Sequence, residues 1–151
     1  MTTEGGLDVR AAERSLAETR MRMNDAGIEV SLFIAPDEEQ VASSARTGCQ
    51  FVELHTGAFA GEFQKGHGES SVQPNHELHR LVSGARLAHS LGLKVNAGHG
   101  LNYENLPTLL QVPYLVELNI GHSIVSRALF TGIENAVRQM FALMADYPPG
   151  P

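Results

Sequence analysis

The hydrophobic pattern of this chain switches repeatedly between helical and strand spacing. Residues 8–25 carry Leu16, Met21 and Met23 among Ala, Arg and Glu, and stop at Gly27, a residue suited to the position just past a helix. Residues 28–34 (IEVSLFI) are apolar with β-branched types, which predicts a strand. Pro36 and the acids Asp37, Glu38 and Glu39 then open a helix in the way its N-terminal dipole favours, ending near Thr47-Gly48. Residues 51–55 predict the second strand. From Gly57 to about Asn75 the chain is dominated by Gly, Ser, Gln and Lys, which predicts a long irregular loop. A helix then begins at Pro74 or Asn75, carries Leu78, Leu81, Val82, Ala85 and Leu87, and closes at Gly92. Residues 93–97 predict the third strand, 104–110 a short helix irregular at Pro107, 114–120 the fourth strand, and 123–144 one last helix. The segment Tyr147-Pro148-Pro149-Gly150-Pro151 cannot continue a helix and is expected to fray.

Strand–helix units in strict succession, with strands that read as apolar on both faces, predict an α/β fold with a parallel sheet covered by helices. An open doubly wound sheet and a (β/α)₈ barrel both fit that order. Gly98-His99-Gly100 supplies only the start of a dinucleotide fingerprint, because position 103 is Tyr, and there is no Walker A sequence. These gaps favour the barrel. A complete barrel needs about 250 residues. The 151 residues here, with four strands, are expected to form the C-terminal half of a TIM barrel over residues 1–146, followed by a frayed tail at 147–151.

Composition narrows the setting. Hydrophobic residues at 42% and charged residues at 19% fit a globular chain with a real core. No apolar run approaches the length of a membrane span, and Thr2-Thr3-Glu4-Gly5-Gly6 is not a secretory start, so a cytoplasmic protein without membrane contact is expected. Eleven Lys and Arg against seventeen Asp and Glu leave a net charge of −6, which repels a phosphodiester backbone and argues against nucleic-acid binding. Cys49 is the lone cysteine, which excludes an internal disulfide and a Cys-rich zinc site; it reads as a buried small residue.

The histidines carry the chemical signal. Three successive predicted strands end in Glu53-Leu54-His55-Thr56-Gly57, Val95-Asn96-Ala97-Gly98-His99-Gly100 and Glu117-Leu118-Asn119-Ile120-Gly121-His122. In an α/β sheet the C-terminal strand ends share one rim, where ligands bind and barrel enzymes keep their active sites. Gly98 and Gly100 allow close approach of backbone N–H groups to a ligand. Gly121-His122-Ser123 leads into a helix whose N-terminus is suited to an anion. Glu53 lies two residues before His55, so both side chains leave the strand on the same face. Spacing alone leaves a salt-bridged or solvated role for Glu53 open, and Asn96 and Asn119 could orient a substrate hydroxyl or bond backbone. A metal held by His55, His99 and His122 is the competing use of the rim. His67, His76, His79 and His89 read as solvated surface.

Together these segments, with Thr2-Thr3-Glu4-Gly5-Gly6-Leu7-Asp8 and Val30-Ser31-Leu32-Phe33-Ile34, resemble pyridoxine 5′-phosphate synthase, a (β/α)₈ barrel family of vitamin B6 biosynthesis. VNAGHG and ELNIGH are its most specific signatures here. The resemblance runs from Thr2 to about Met144 and covers only the family's C-terminal part, strands five to eight. It implies condensation of 1-deoxy-D-xylulose 5-phosphate with 3-amino-2-oxopropyl phosphate to pyridoxine 5′-phosphate, by proton transfers and with no cofactor and no metal. It implies His99 as proton donor and Glu53 as the carboxylate that stabilises the transition state. It also implies Gly100, Gly121 and His122 as phosphate-binding positions, Thr2 as a ligand to the deoxyxylulose phosphate, and a supporting role for His55. The family's general bases lie on strands one to four, so the chain is expected to be a fragment that needs that N-terminal half. The family's homo-octamers imply a homo-oligomer acting on small phosphorylated substrates. The alternatives are a non-catalytic phosphate-binding half-barrel that self-associates, and a metal-dependent barrel enzyme.

Overall fold

The computed structural model describes residues 5–66 and 76–148. Along the chain these form α1 (Val9–Asp25), β1 (Ser31–Ile34), α2 (Glu38–Thr47), β2 (Phe51–His55), α3 (Gly57–Gly66), α4 (His76–Ser90), β3 (Lys94–Gly98), α5 (Leu106–Leu109), β4 (Leu115–Asn119), α6 (His122–Thr131) and α7 (Ile133–Met144). The four strands pair in parallel in the order β1-β2-β3-β4. A doubly wound sheet reverses its strand order at a switch point, whereas a barrel adds each strand beside the last. The monotonic order is that of a half TIM barrel.

Local chemistry accounts for the element ends. Asp8 caps α1 by accepting the Ala11 N–H at 3.3 Å, and Gly48 ends α2 in the left-handed conformation at φ 75°. Leu32, Ile34, Val52, Leu54, Val95 and Ala97 are buried on one face of the sheet, against which α2 and α4 pack. Burial on this face is the main stabilising term, about 25 cal/mol for each Å² of apolar surface removed from water.

The opposite face is polar, which corrects the expectation of strands apolar on both sides. Phe33, Glu53, Asn96 and Glu117 form one row across the sheet, and His55, Gly98 and Asn119 form the row above it. A register shift opposite Val95 and Asn96 makes this possible on β4: Val95 pairs with Leu115, Asn96 with Glu117, and Val116 is the extra residue. The bulge buries Leu115 with the helices yet turns Glu117 and Asn119 to the polar face.

Three further expectations are corrected. The expected loop after β2 begins as helix α3, because Phe59, Ala60 and Phe63 lie at helical spacing, Phe59 and Ala60 are buried, and the two rings stand 6.2 Å apart. Residues 67–75, the remainder of that loop with His67, lie outside the described residues. The expected single last helix is two, because Gly132 takes φ 78° and ψ 150° and breaks the ladder between α6 and α7. Tyr147, expected to fray, is anchored: its hydroxyl donates to Val112 O at 2.7 Å and accepts from Leu115 N–H at 2.9 Å.

Candidate functional site

The C-terminal strand ends open onto a cleft of about 640 Å³ lined by Glu53, His99, Gly100, Gly121, His122, Asn119 and neighbours. Of the residues expected to act, Glu53, His99, Gly100, Gly121 and His122 all line it. Thr2 lies outside the described residues.

Glu53 reaches across the sheet. Its Oε2 accepts from Asn119 Nδ2 at 2.8 Å, although Glu53 sits on β2 and Asn119 on β4. The intervening strand presents Gly98 at that level, and a Cβ there would collide with Glu53 Oε1 and stand 3.0 Å from Asn119 Cβ. Gly98 is therefore the opening through which the carboxylate crosses β3. Burial pushes the Glu53 carboxyl above its ordinary range; the Asn119 hydrogen bond opposes this, and the nearby Glu117 charge adds to it. Beside Glu53 in register, Asn96 is 4% exposed and its Oδ1 has no hydrogen-bond partner among the described residues.

His99 is held in an unusual backbone state. Its φ is +86°, the left-handed region that non-glycine residues enter at a cost of about 1–3 kcal/mol. Its ring centroid lies 4.8 Å from that of His55, which in turn meets the Phe33 ring edge-on at 5.2 Å. Gly57 makes room for both imidazoles: a Cβ there would stand 2.7 Å from His55 Cε1 and 2.9 Å from His99 Cδ2.

The glycine turns are braced from below. Gly100 takes φ 75°, and its carbonyl accepts from the buried Asn105 amide at 3.0 Å. Ser123 Oγ donates to Leu101 O at 2.8 Å and ties the β4–α6 turn to the β3–α5 loop. Gly121 caps α6 without a side-chain hydrogen bond, so the first-turn N–H groups of this ten-residue helix stay available beside the cleft.

Sequence reasoning singled out Glu53 and His99 but missed the residues that hold them. The sequence leaves Asn119 between two roles, and gives no sign that Thr56 and Ser123 tie these turns together. The signal available for Thr56 was its position between His55 and Gly57, which mattered only once β2 and β3 were in register. The three rim histidines do not converge as a metal set among the described residues. The His and carboxylate group close enough to share a cation is Glu62, His76 and Glu77, with donor atoms within 4.8 Å; it lines no part of the cleft. Cys49 is buried, its thiol pushed up by desolvation, as a packing residue would be.

A singly wound parallel sheet with its polar residues gathered at the C-terminal rim defines the class: half of a (β/α)₈ barrel with a barrel-type site. Within that class, the chain belongs to the family whose model is described as Pyridoxal phosphate biosynthesis protein PdxJ, which matches residues 1–146. It is 57% identical over 141 residues to pyridoxine 5′-phosphate synthase of Akkermansia muciniphila, covering 93% of this chain and 54% of that protein. The same-named protein of Opitutus terrae is 51% identical over 140 residues, covering 93% of this chain and 54% of the relative. That of Geobacter sulfurreducens is 47% identical over 144 residues, covering 95% and 58%. The chain thus spans about half the length of the curated relatives it matches.

Proposed function

We propose that this chain carries the proton-donor and phosphate-holding part of a pyridoxine 5′-phosphate synthase and works together with a complementary half-barrel. The reaction joins 1-deoxy-D-xylulose 5-phosphate to 3-amino-2-oxopropyl phosphate, releasing phosphate and water. The observation that carries the reading is the convergence of Glu53, His99, Gly100, Gly121 and His122 on one cleft. His99 is the proton donor: carbonyl condensation and dehydration both need a group that exchanges protons near neutrality, which suits imidazole. Glu53, fixed by Asn119, faces the cationic character that develops during imine formation. The N–H groups of Gly100, Gly121 and His122 receive the phosphate of the aminoketone, assisted by the N-terminal end of α6. Thr2 is proposed to reach the other phosphate. The chemistry is acid–base throughout and uses no cofactor and no metal.

A complementary half fits the surfaces left open. Among the described residues β1 and β4 each pair on one side only. Helix α6, which follows β4 in the chain, leaves Val125, Leu129 and Phe130 exposed, the last two at 82% and 91%. Exposed apolar surface and unpaired strand edges are both suited to burial against another sheet and its helices. We place the completed enzyme in the cytoplasm as a homo-oligomer, of octameric size by analogy with the family.

The test is to co-express the chain with the N-terminal portion of a relative that it does not cover, then assay pyridoxine 5′-phosphate. Product formation that is lost in His99→Asn is expected. A soluble, well-folded complex that makes no product sinks the reading.

A further inference from the structure

The segment that links β2 to α3 bears on the cleft without lining it. Thr56 is fully buried, and among the described residues its side chain bonds only backbone carbonyls. Its hydroxyl lies 2.7 Å from Gly98 O and 2.6 Å from His99 O, while its backbone N–H donates to Gly98 O at 2.9 Å. One hydroxyl proton thus faces two successive carbonyl oxygens at the point where β3 ends. His99 is also the residue with φ +86°. A residue in that region turns the chain sharply, and its side chain leaves in a direction that an extended residue could not use.

From this geometry we infer that Thr56 is the positioning residue of His99: it clamps the two carbonyls on either side of the His99 N–Cα bond and so sets where the imidazole points. The argument has three parts. Strained backbone persists only where surrounding contacts over-determine it, and the contacts here are the Thr56 hydroxyl and N–H on the Gly98 and His99 carbonyls. One hydroxyl proton shared between two carbonyl oxygens draws both toward it, so relaxing His99 toward an extended conformation would take His99 O out of this bifurcated hydrogen bond. Gly57, the next residue, supplies the space beside the His55 and His99 rings, since any Cβ there would meet both. The His55-Thr56-Gly57 sequence therefore acts as a unit on its neighbour strand: His55 packs the His99 ring, Thr56 holds its backbone, and Gly57 stays out of its way.

The inference deepens the reading of His99 as proton donor and rests on it for its catalytic meaning, but the geometry can be measured without turnover. Ring-labelled histidine in the chain gives a magnetisation-transfer cross-peak between the His55 and His99 imidazoles, assigned by its loss in His99→Asn. Thr56→Ala removes the hydroxyl; Thr56→Ser keeps it. The cross-peak is expected to vanish in Thr56→Ala and persist in Thr56→Ser. Should alanine at this buried site unfold the chain, the near-isosteric Thr56→Val takes its place. In the complex with the complementary half, kcat is expected to fall about ten- to a hundredfold in Thr56→Ala, with KM nearly unchanged, and to recover in Thr56→Ser. A cross-peak that survives loss of the hydroxyl, or that serine fails to keep, overturns the inference. Full turnover in His99→Asn would instead refute the donor reading and leave the ring measurement standing.

Discussion

Glu53 and Asn119, 66 positions apart in the chain, are joined by a 2.8 Å hydrogen bond that passes over Gly98 on the strand between them. The bond exists because the middle strand has no side chain at that level. It fixes Oε2 at the rim, while Oε1 lies over Gly98 in the space a Cβ would take.

Gly98→Ala therefore acts on the carboxylate rather than on the core. The new methyl would take the space of Glu53 Oε1, the end of a flexible side chain, and press on β4 at 3.1 Å from Asn119 O, so the fold is expected to survive with a stability loss of about 1–3 kcal/mol. Turnover with the complementary half is expected to fall at least as far as in Asn119→Ala. Comparing urea midpoints with kcat for both variants checks this; a fully active Gly98→Ala contradicts it.

The Glu53 carboxyl also predicts a pH dependence of stability. Its value in the folded chain is raised above the ordinary 4.5, by burial first and by Glu117 in addition. Between 4.5 and that raised value the folded chain binds more protons at this site than the unfolded chain. Stability from this group is therefore greatest below that window and declines as pH rises through it. Glu53→Gln carries no such titration, so its urea midpoint should fall less than that of the parent between acid and neutral pH. Superimposable profiles would falsify the assignment.

His99 allows its backbone strain to be read directly. At φ +86° alanine suffers the same strain as histidine, whereas glycine does not. His99→Gly is expected to be more stable than His99→Ala by about 1 kcal/mol, the reverse of the order in a helix or strand. Thermal unfolding of the two variants gives the difference.

Tyr147 anchors the end of the described chain to the segment that leads into β4. Removing its hydroxyl in Tyr147→Phe deprives Leu115 N–H of its acceptor and Val112 O of a donor. A loss of about 1–3 kcal/mol is expected, visible as a lower urea midpoint with unchanged slope. An unchanged midpoint would mean that the aromatic ring alone holds this end.

Much of the architecture is legible in the sequence. The strands were placed to within a few residues because short apolar runs bounded by glycine leave few options, and helix ends followed Asp8, Gly48 and Gly92. The histidine at each strand end pointed to the rim where the cleft opens. Helix α3 was missed because its glycines masked the Phe59 and Phe63 spacing, and the break at Gly132 was missed because apolar periodicity resumes on both sides of it.

What the sequence determined by itself was local: element type, capping, the parallel α/β order, and the candidate residues Glu53, His99, Gly100, Gly121 and His122. Tertiary structure alone decided which of these meet and what holds them. The bulge at Val116 turns Glu117 and Asn119 to the polar face, and register across β2, β3 and β4 sets Glu53 against Asn119. The same register brings the Thr56 hydroxyl onto His99 O. The physical reason is one of range. Capping and periodicity act over a few residues, whereas these contacts depend on strand register across dozens, and a one-residue slip would send each side chain to the opposite face.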